Sequence, residues 1–130
     1  MTAKQLPVLG ELELAVLDHL WERGEADVAE AHAAVGGARA ITANTVGSAL
    51  ERLHRKGLAR RWKVSHAYRY AATVERGAFH ARRMVEAAGG AAALADTGLL
   101  AAFVDAVAEV DASTLDRLQD ILDRRAERDE

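Results

Sequence analysis

The chain has 130 residues, half of them apolar but only 5% aromatic, and no cysteine. That length allows one domain of usual size or a small domain with an appendage, and the lack of cysteine excludes disulfides, thiolate zinc sites and cysteine nucleophiles. The net charge of −3 conceals a segregation, because residues 42–70 carry seven basic side chains and one acidic, whereas residues 1–41 carry three and seven, and residues 96–130 four and ten. A cationic block in an otherwise acidic chain points to a polyanionic partner.

Taken in order, Leu12, Val16, Leu17, Leu20 and Trp21 repeat at helical spacing and predict a first amphipathic helix from Gly10 to about Arg23, with Pro7 before it and Gly24 to end it. Glu11 and Glu13 fall where a secretory signal would need its apolar region. The longest run without a charge, Ala40–Leu50, has eleven residues, against the ~20 of a membrane span. A cytoplasmic protein without membrane insertion is expected. Asp27 is placed to cap a second helix, with Glu30 in the capping-box position, and Val28, Ala31 and Val35 face a core until Gly36-Gly37 interrupts.

The next stretch, Ile41–Lys56, predicts a third helix capped by Thr42. Val46, Ala49, Leu50 and Leu53 form its apolar stripe. Short polar side chains crowd its first turns, cations load its far end, and Gly57 suits a left-handed cap. Gly47 in its interior costs up to ~1 kcal/mol, so it serves either close approach to DNA or a packing contact.

After Gly57 the period changes from 3.6 to 2. LARRWKV and AYRYA read as two strands joined at Ser65-His66, with Trp62 and Val64 on one face of the first strand, Arg61 and Lys63 on the other, and both tyrosines facing inward. Three helices and a basic hairpin make a winged helix-turn-helix. The fold class is therefore mainly α with a small β-hairpin, a DNA-binding domain over residues 1–74 followed by a helical dimerisation region over 75–130. In that region helical text from about Thr73 is broken at Gly89-Gly90. Asp96 or Thr97 then caps a helix bearing Leu99, Leu100, Phe103, Val104 and Val107. Ser113, with Asp116 in the box position, caps a last one bearing Leu115, Leu118, Ile121 and Leu122. Two short helices cannot hide that much apolar surface from water, so a second copy is the simplest cover.

The segments LGELELAVLDHLWERG, DVAEAHAAV, TANTVGSALERLHRKGLARR and HAYRYAA, in this order and spacing, resemble the penicillinase-repressor family of BlaI, MecI and the copper-responsive CopY type. The resemblance covers roughly residues 8–75 and extends more weakly into the tail. It implies a homodimeric repressor on a palindromic double-stranded operator, with the third helix in the major groove and the wing along the backbone. It further implies derepression through a membrane-bound sensor metalloprotease and cleavage at an Asn-Phe bond in the dimerisation helix. The corresponding pair here is Ala102-Phe103, which keeps the phenylalanine and lacks the asparagine. The copper branch uses a C-terminal cysteine cluster, which this chain does not have. The alternative for release is a small ligand sensed at the dimer interface.

Base reading is expected from Thr42, Ala43, Asn44, Thr45 and Ser48, because Asn pairs bidentately with adenine and Thr methyls touch thymine methyls. Backbone contact is expected from Arg52, Arg55, Lys56, Arg60, Arg61, Lys63, His66 and Arg69. Five phosphates per protomer would give the dimer a salt slope of roughly −9. The five histidines show no metal-ligand spacing, and no nucleophile motif, carboxylate pair or phosphate loop suggests catalysis, so no metal, cofactor or enzymatic role is expected. An enzyme or small-molecule module on a helical scaffold is the rival class.

Overall fold

The computed structural model describes residues 7–129. Two compact units divide the chain, one ending at Arg83 and the other starting at Met84.

In the first unit, α1 (Glu11–Arg23) runs to Gly24 and buries Val16, Leu17 and Leu20. The two-residue strand β1 (Ala26–Asp27) follows and leads directly into α2 (Val28–Ala31), where Asp27 and Glu30 form the reciprocal capping box read from the sequence. The helix does not stop at Ala31 but widens into a π-helical turn, His32–Gly36. Thr42 then caps α3 (Ala43–Arg55), its hydroxyl accepting the Thr45 N–H at 3.2 Å.

At the far end of α3, Gly57 takes φ +80°, a left-handed conformation that a side chain would oppose. The Leu58 N–H reaches the Leu53 carbonyl at 2.9 Å and the Gly57 N–H reaches that of His54 at 3.0 Å. These two bonds make a Schellman cap, and both Leu53 and Leu58 enter the core behind it. Gly47 looks inward, since a Cβ there would lie 3.5 Å from the nearest Val28 methyl, so its near neighbour is helix α2.

Strands β2 (Ala59–Val64) and β3 (Ala67–Ala72) pair antiparallel from Ala59↔Ala72 to Val64↔Ala67, leaving Ser65-His66 as the expected two-residue turn. Only Ser65 has positive φ there, the sign pattern of a type II′ turn. The sheet has three strands rather than the two expected, in the order β1-β3-β2. β1 is too short to show alternation in sequence and is defined only by its pairing with Tyr70 and Arg69.

The register also corrects the strand faces. Arg61 lies opposite Tyr70 and Lys63 opposite Tyr68, so these four share one face, while Trp62 lies opposite Arg69 on the other. Tyr70 is buried at the base of the hairpin. Tyr68 and Val64, expected inside, are 40% and 49% exposed because the outer rungs project past the core.

The core joins the stripes of α1 and α3 to Ala31, Val35, Leu58, Tyr70 and Phe79. Phe79 comes from α4 (Arg76–Ala88), which begins three residues after the expected Thr73. Trp21 packs tilted against Phe79, 5.7 Å between ring centroids, and donates its indole N–H to the Val74 carbonyl at 2.8 Å. The first unit therefore continues past residue 74, where periodicity alone placed its end.

The second unit contains the last turn and a half of α4, then α5 (Ala91–Leu94), α6 (Thr97–Val110) and α7 (Ser113–Arg128). Gly89 and Gly90 both have positive φ where α4 ends. Asp96 caps α6, accepting from the Gly98 and Leu99 amides at 2.8 and 3.3 Å. Ser113 does not cap α7 as expected. The carboxylate of Asp111 accepts its amide at 3.0 Å and its hydroxyl at 2.7 Å, and the chain ahead of α7 is already helical at Ala112. No side chain in residues 84–129 is buried. Among the described residues, no helix is long and apolar enough to cross a membrane.

Candidate nucleic-acid interface

Helix α3 has the two faces its sequence announces. Val46, Ala49, Leu50 and Leu53 are fully buried, which fixes the helix against α1 and α2. Thr42, Ala43, Asn44, Thr45 and Ser48 are all exposed on the other side. The Thr42 and Thr45 hydroxyls lie 3.1 Å apart and are partly committed to the cap. The Asn44 amide and the Ser48 hydroxyl bond to no described residue, so their hydrogen-bonding capacity is directed at solvent.

The wing is fastened to α3 by Glu51. Its carboxylate accepts the Tyr70 hydroxyl at 2.8 Å and also the Arg61 guanidinium. Hydrogen bonding from Tyr70 holds the Glu51 carboxyl below the usual carboxylate range, with Arg61 acting in the same direction and burial opposing both. Burial, joined by the Glu51 acceptor, raises the Tyr70 phenol above its ordinary value. Arg61 also lies over the Tyr68 ring, 4.3 Å from its centroid.

The cationic block is less free than its sequence suggests. Glu13, buried on the inner side of α1, holds Arg52 at 3.2 Å and Lys56 at 2.6 Å. Lys56 donates as well to the Val8 carbonyl at 2.9 Å. Arg69 bonds Glu25 and Glu30, both at 2.8 Å, and so ties β3 to the start of α2. The Asp27 amide, followed by Arg69, keeps the Glu30 carboxyl below its usual range. With Arg61 on Glu51, four of the seven cations have carboxylate partners within the chain.

The remaining three, Arg55, Arg60 and Lys63, form no ion pair among the described residues, and all are exposed. Arg60 lies over the Trp62 ring at 4.6 Å and Lys63 near that of Tyr68 at 5.9 Å, contacts that steady a cation without neutralising it. His66 is exposed at the wing tip.

The structure thus leaves the row on α3 and the cations Arg55, Arg60 and Lys63 exposed, and it sets Arg69 apart among acids. Sequence reasoning missed Glu13 and Glu51 as anchors. Glu13 carried a signal, since it stands on the same helical stripe as Val16, Leu17 and Leu20, where an acid must find a partner. Glu51 carried none beyond being the lone acid of its block.

The residues expected to join two copies lie elsewhere. Leu99, Val107, Leu115 and Leu118 are half-buried within the second unit, whereas Leu100, Phe103, Val104, Ile121 and Leu122 are between 43% and 58% exposed. Ala102 and Phe103 fall inside α6. Among the described residues no group of three or more His, Asp or Glu could hold a metal ion.

Comparison with known proteins agrees with this architecture. The penicillinase repressor family model matches residues 9–124. Two proteins described as transcriptional regulator BlaI, from Mycobacterium tuberculosis strains CDC 1551 / Oshkosh and ATCC 25618 / H37Rv, are each 39% identical over 84 residues. Those matches cover 64% of this chain, and the chain spans 61% of the length of these relatives. The solution structure of the DNA-binding domain of the repressor BlaI superposes with a TM-score of 0.50 at 20% identity, covering 57% of this chain and 90% of that one, a likeness of fold. With the family model matched across both units, the chain belongs to the penicillinase repressor family.

Proposed function

We propose that two copies of this chain bind a palindromic operator in double-stranded DNA and repress transcription, with α3 in the major groove and the β2–β3 wing along the phosphates. The observation that carries this reading is the exposed row Thr42, Ala43, Asn44, Thr45 and Ser48 on a helix whose opposite stripe is fully buried. Such a helix is rigidly mounted and offers short hydrogen-bonding and methyl groups to base edges. The relatives' description as transcriptional regulators supports the same reading.

Backbone contact falls first to Arg55, Arg60 and Lys63, with His66 at the wing tip. Arg52, Lys56 and Arg61 contribute only by leaving their carboxylates, and Arg69 chiefly holds the fold. The two copies join through α6 and α7, because a unit with no buried side chain among its described residues, and with Leu100, Phe103, Val104, Ile121 and Leu122 all exposed on these two helices, needs a cover. Release follows from cleavage between Ala102 and Phe103 by a protease downstream of a membrane sensor, as the family resemblance implies. That bond lies inside a helix, so α6 must unwind locally before a protease can take it as an extended strand.

Fluorescence anisotropy with labelled mixed-sequence duplex at about 50 mM salt, where electrostatic binding is strong, tests the reading together with sedimentation of the free protein. Saturable binding by a dimer is expected. A monomer at micromolar concentration, or no binding at low salt, would overturn it. Phe103→Asp and Leu122→Asp should each give monomers that keep the first unit folded.

A further inference from the structure

The link between α2 and α3 is closed in an unusual way. Ile41, the residue before the Thr42 cap, has both of its backbone polar groups tied to the π-helical turn. Its N–H donates to the Gly36 carbonyl at 3.2 Å, and its own carbonyl lies 2.8 Å from His32 Nε2. A carbonyl only accepts, so Nε2 carries the hydrogen. The Gly36 carbonyl also takes the Arg39 N–H at 3.2 Å, and Ala40 is held at φ +53°, a conformation that disfavours any side chain.

Room for the His32 ring depends on Gly36. A Cβ built there would sit 2.2 Å from His32 Cδ2 and 2.9 Å from Nε2, and no other residue supplies one of its three nearest atoms. The turn is π-helical over His32–Gly36, a widening that often marks a functional position. Ring, glycine and wide turn fit one purpose, which is to grip the backbone at the point where α3 begins.

We propose that His32 is a positioning residue for base reading, its imidazole latching the Ile41 carbonyl so that Thr42, Asn44 and Thr45 enter the groove at a fixed angle. The proposal rests on α3 being the reading helix. A base-edge hydrogen bond tolerates only a few tenths of an ångström, whereas long Arg and Lys side chains follow a phosphate through a larger shift. Loss of the latch should therefore reduce discrimination between sequences more than it reduces attraction to DNA.

The test takes the duplex enriched from a random library by the full wild-type chain, and a shuffled duplex of equal composition. His32→Ala should bind the enriched duplex about five- to tenfold more weakly, the scale of one lost hydrogen bond, and the shuffled duplex within about twofold of wild type. His32→Gln, whose amide nitrogen reaches a similar point, should restore most of the difference. Gly36→Ala should reproduce His32→Ala, yet add nothing when combined with it, because the clashing ring is gone.

Equal losses on both duplexes would overturn the proposal, as would additive losses in the double variant. Should the wild type enrich no duplex, the reading of α3 fails and the latch is judged by amide exchange alone. Exchange at Thr45 and Val46 faster in His32→Ala and restored in His32→Gln supports it, and unchanged exchange refutes it.

Discussion

The salt dependence of DNA binding offers a quantitative test of which cations are available. Five phosphate contacts per protomer, the number expected from the sequence, would give a dimer slope of log affinity against log salt of about −9. The structure reduces that number. Arg52, Lys56, Arg61 and Arg69 are already opposed by Glu13, Glu51, Glu25 and Glu30, so a phosphate must displace a carboxylate to gain them. Arg55, Arg60 and Lys63 remain, giving six phosphate contacts per dimer and a slope of about −5. Glu51→Gln should release Arg61 while its amide oxygen still accepts the Tyr70 hydroxyl, adding one contact per protomer and steepening the slope to about −7. Arg60→Ala should flatten it to about −4, and Arg61→Ala should leave it close to the wild-type value. Anisotropy titrations between about 50 and 200 mM salt resolve these differences. A wild-type slope near −9 would show that the internal pairs open on binding. Identical slopes for wild type and Glu51→Gln would refute the claim that Glu51 withholds Arg61.

Other outcomes follow from the packing. Gly47→Ala should raise stability by up to ~1 kcal/mol in thermal melts, since its Cβ meets Val28 at ordinary contact distance, and DNA affinity should be unchanged. A loss of binding would mean that the helix backbone approaches DNA there. Phe79→Ala should cost ~3–5 kcal/mol because the ring is 2% exposed in the core, and a chain ending at residue 74 should melt well below one ending at 83. Equal melting of the two fragments would contradict the place given to α4. Glu30, Glu51 and Asp111 all titrate lower in the folded chain than unfolded, Asp111 through its bonds to Ser113. Their stabilisation is therefore complete above the usual carboxylate range and lost as pH falls through the lowered folded values. Melting temperature should fall below about pH 4, and Glu51→Gln should lose part of that fall. A flat acid limb in wild type would refute these assignments.

Much of this architecture was legible in residues that act on near neighbours. The stripes of α1 and α3, the Asp27–Glu30 box, the Thr42 cap, the Gly57 cap and the Ser65-His66 turn each depend on contacts within five residues, and each formed as read. What escaped depends on contacts across the fold. β1 is defined by the pairing of Ala26 with Tyr70, and the π turn carries a bond from His32 past Gly36 to Ile41, nine residues on. Strand alternation put Trp62 and Val64 on the inner face with both tyrosines, and only the pairing of Arg61 with Tyr70 across the hairpin sets Trp62 on the opposite face. Ser113 looked like a cap by type, but Asp111 stands two residues earlier with a stronger acceptor. The site divides in the same way. The exposed row of α3 follows from its periodicity, while the neutralisation of four cations needed acids as much as 44 residues distant.

Mapping where the protein binds across a genome tests the central claim most directly. Two copies joined through α6 and α7, each placing α3 in a major groove, predict an inverted repeat. Its half-site centres should lie about one helical turn, or a multiple of it, apart, and the motif should weaken for Asn44→Ala. A single unrepeated motif, or no enriched sequence at all, would contradict the account.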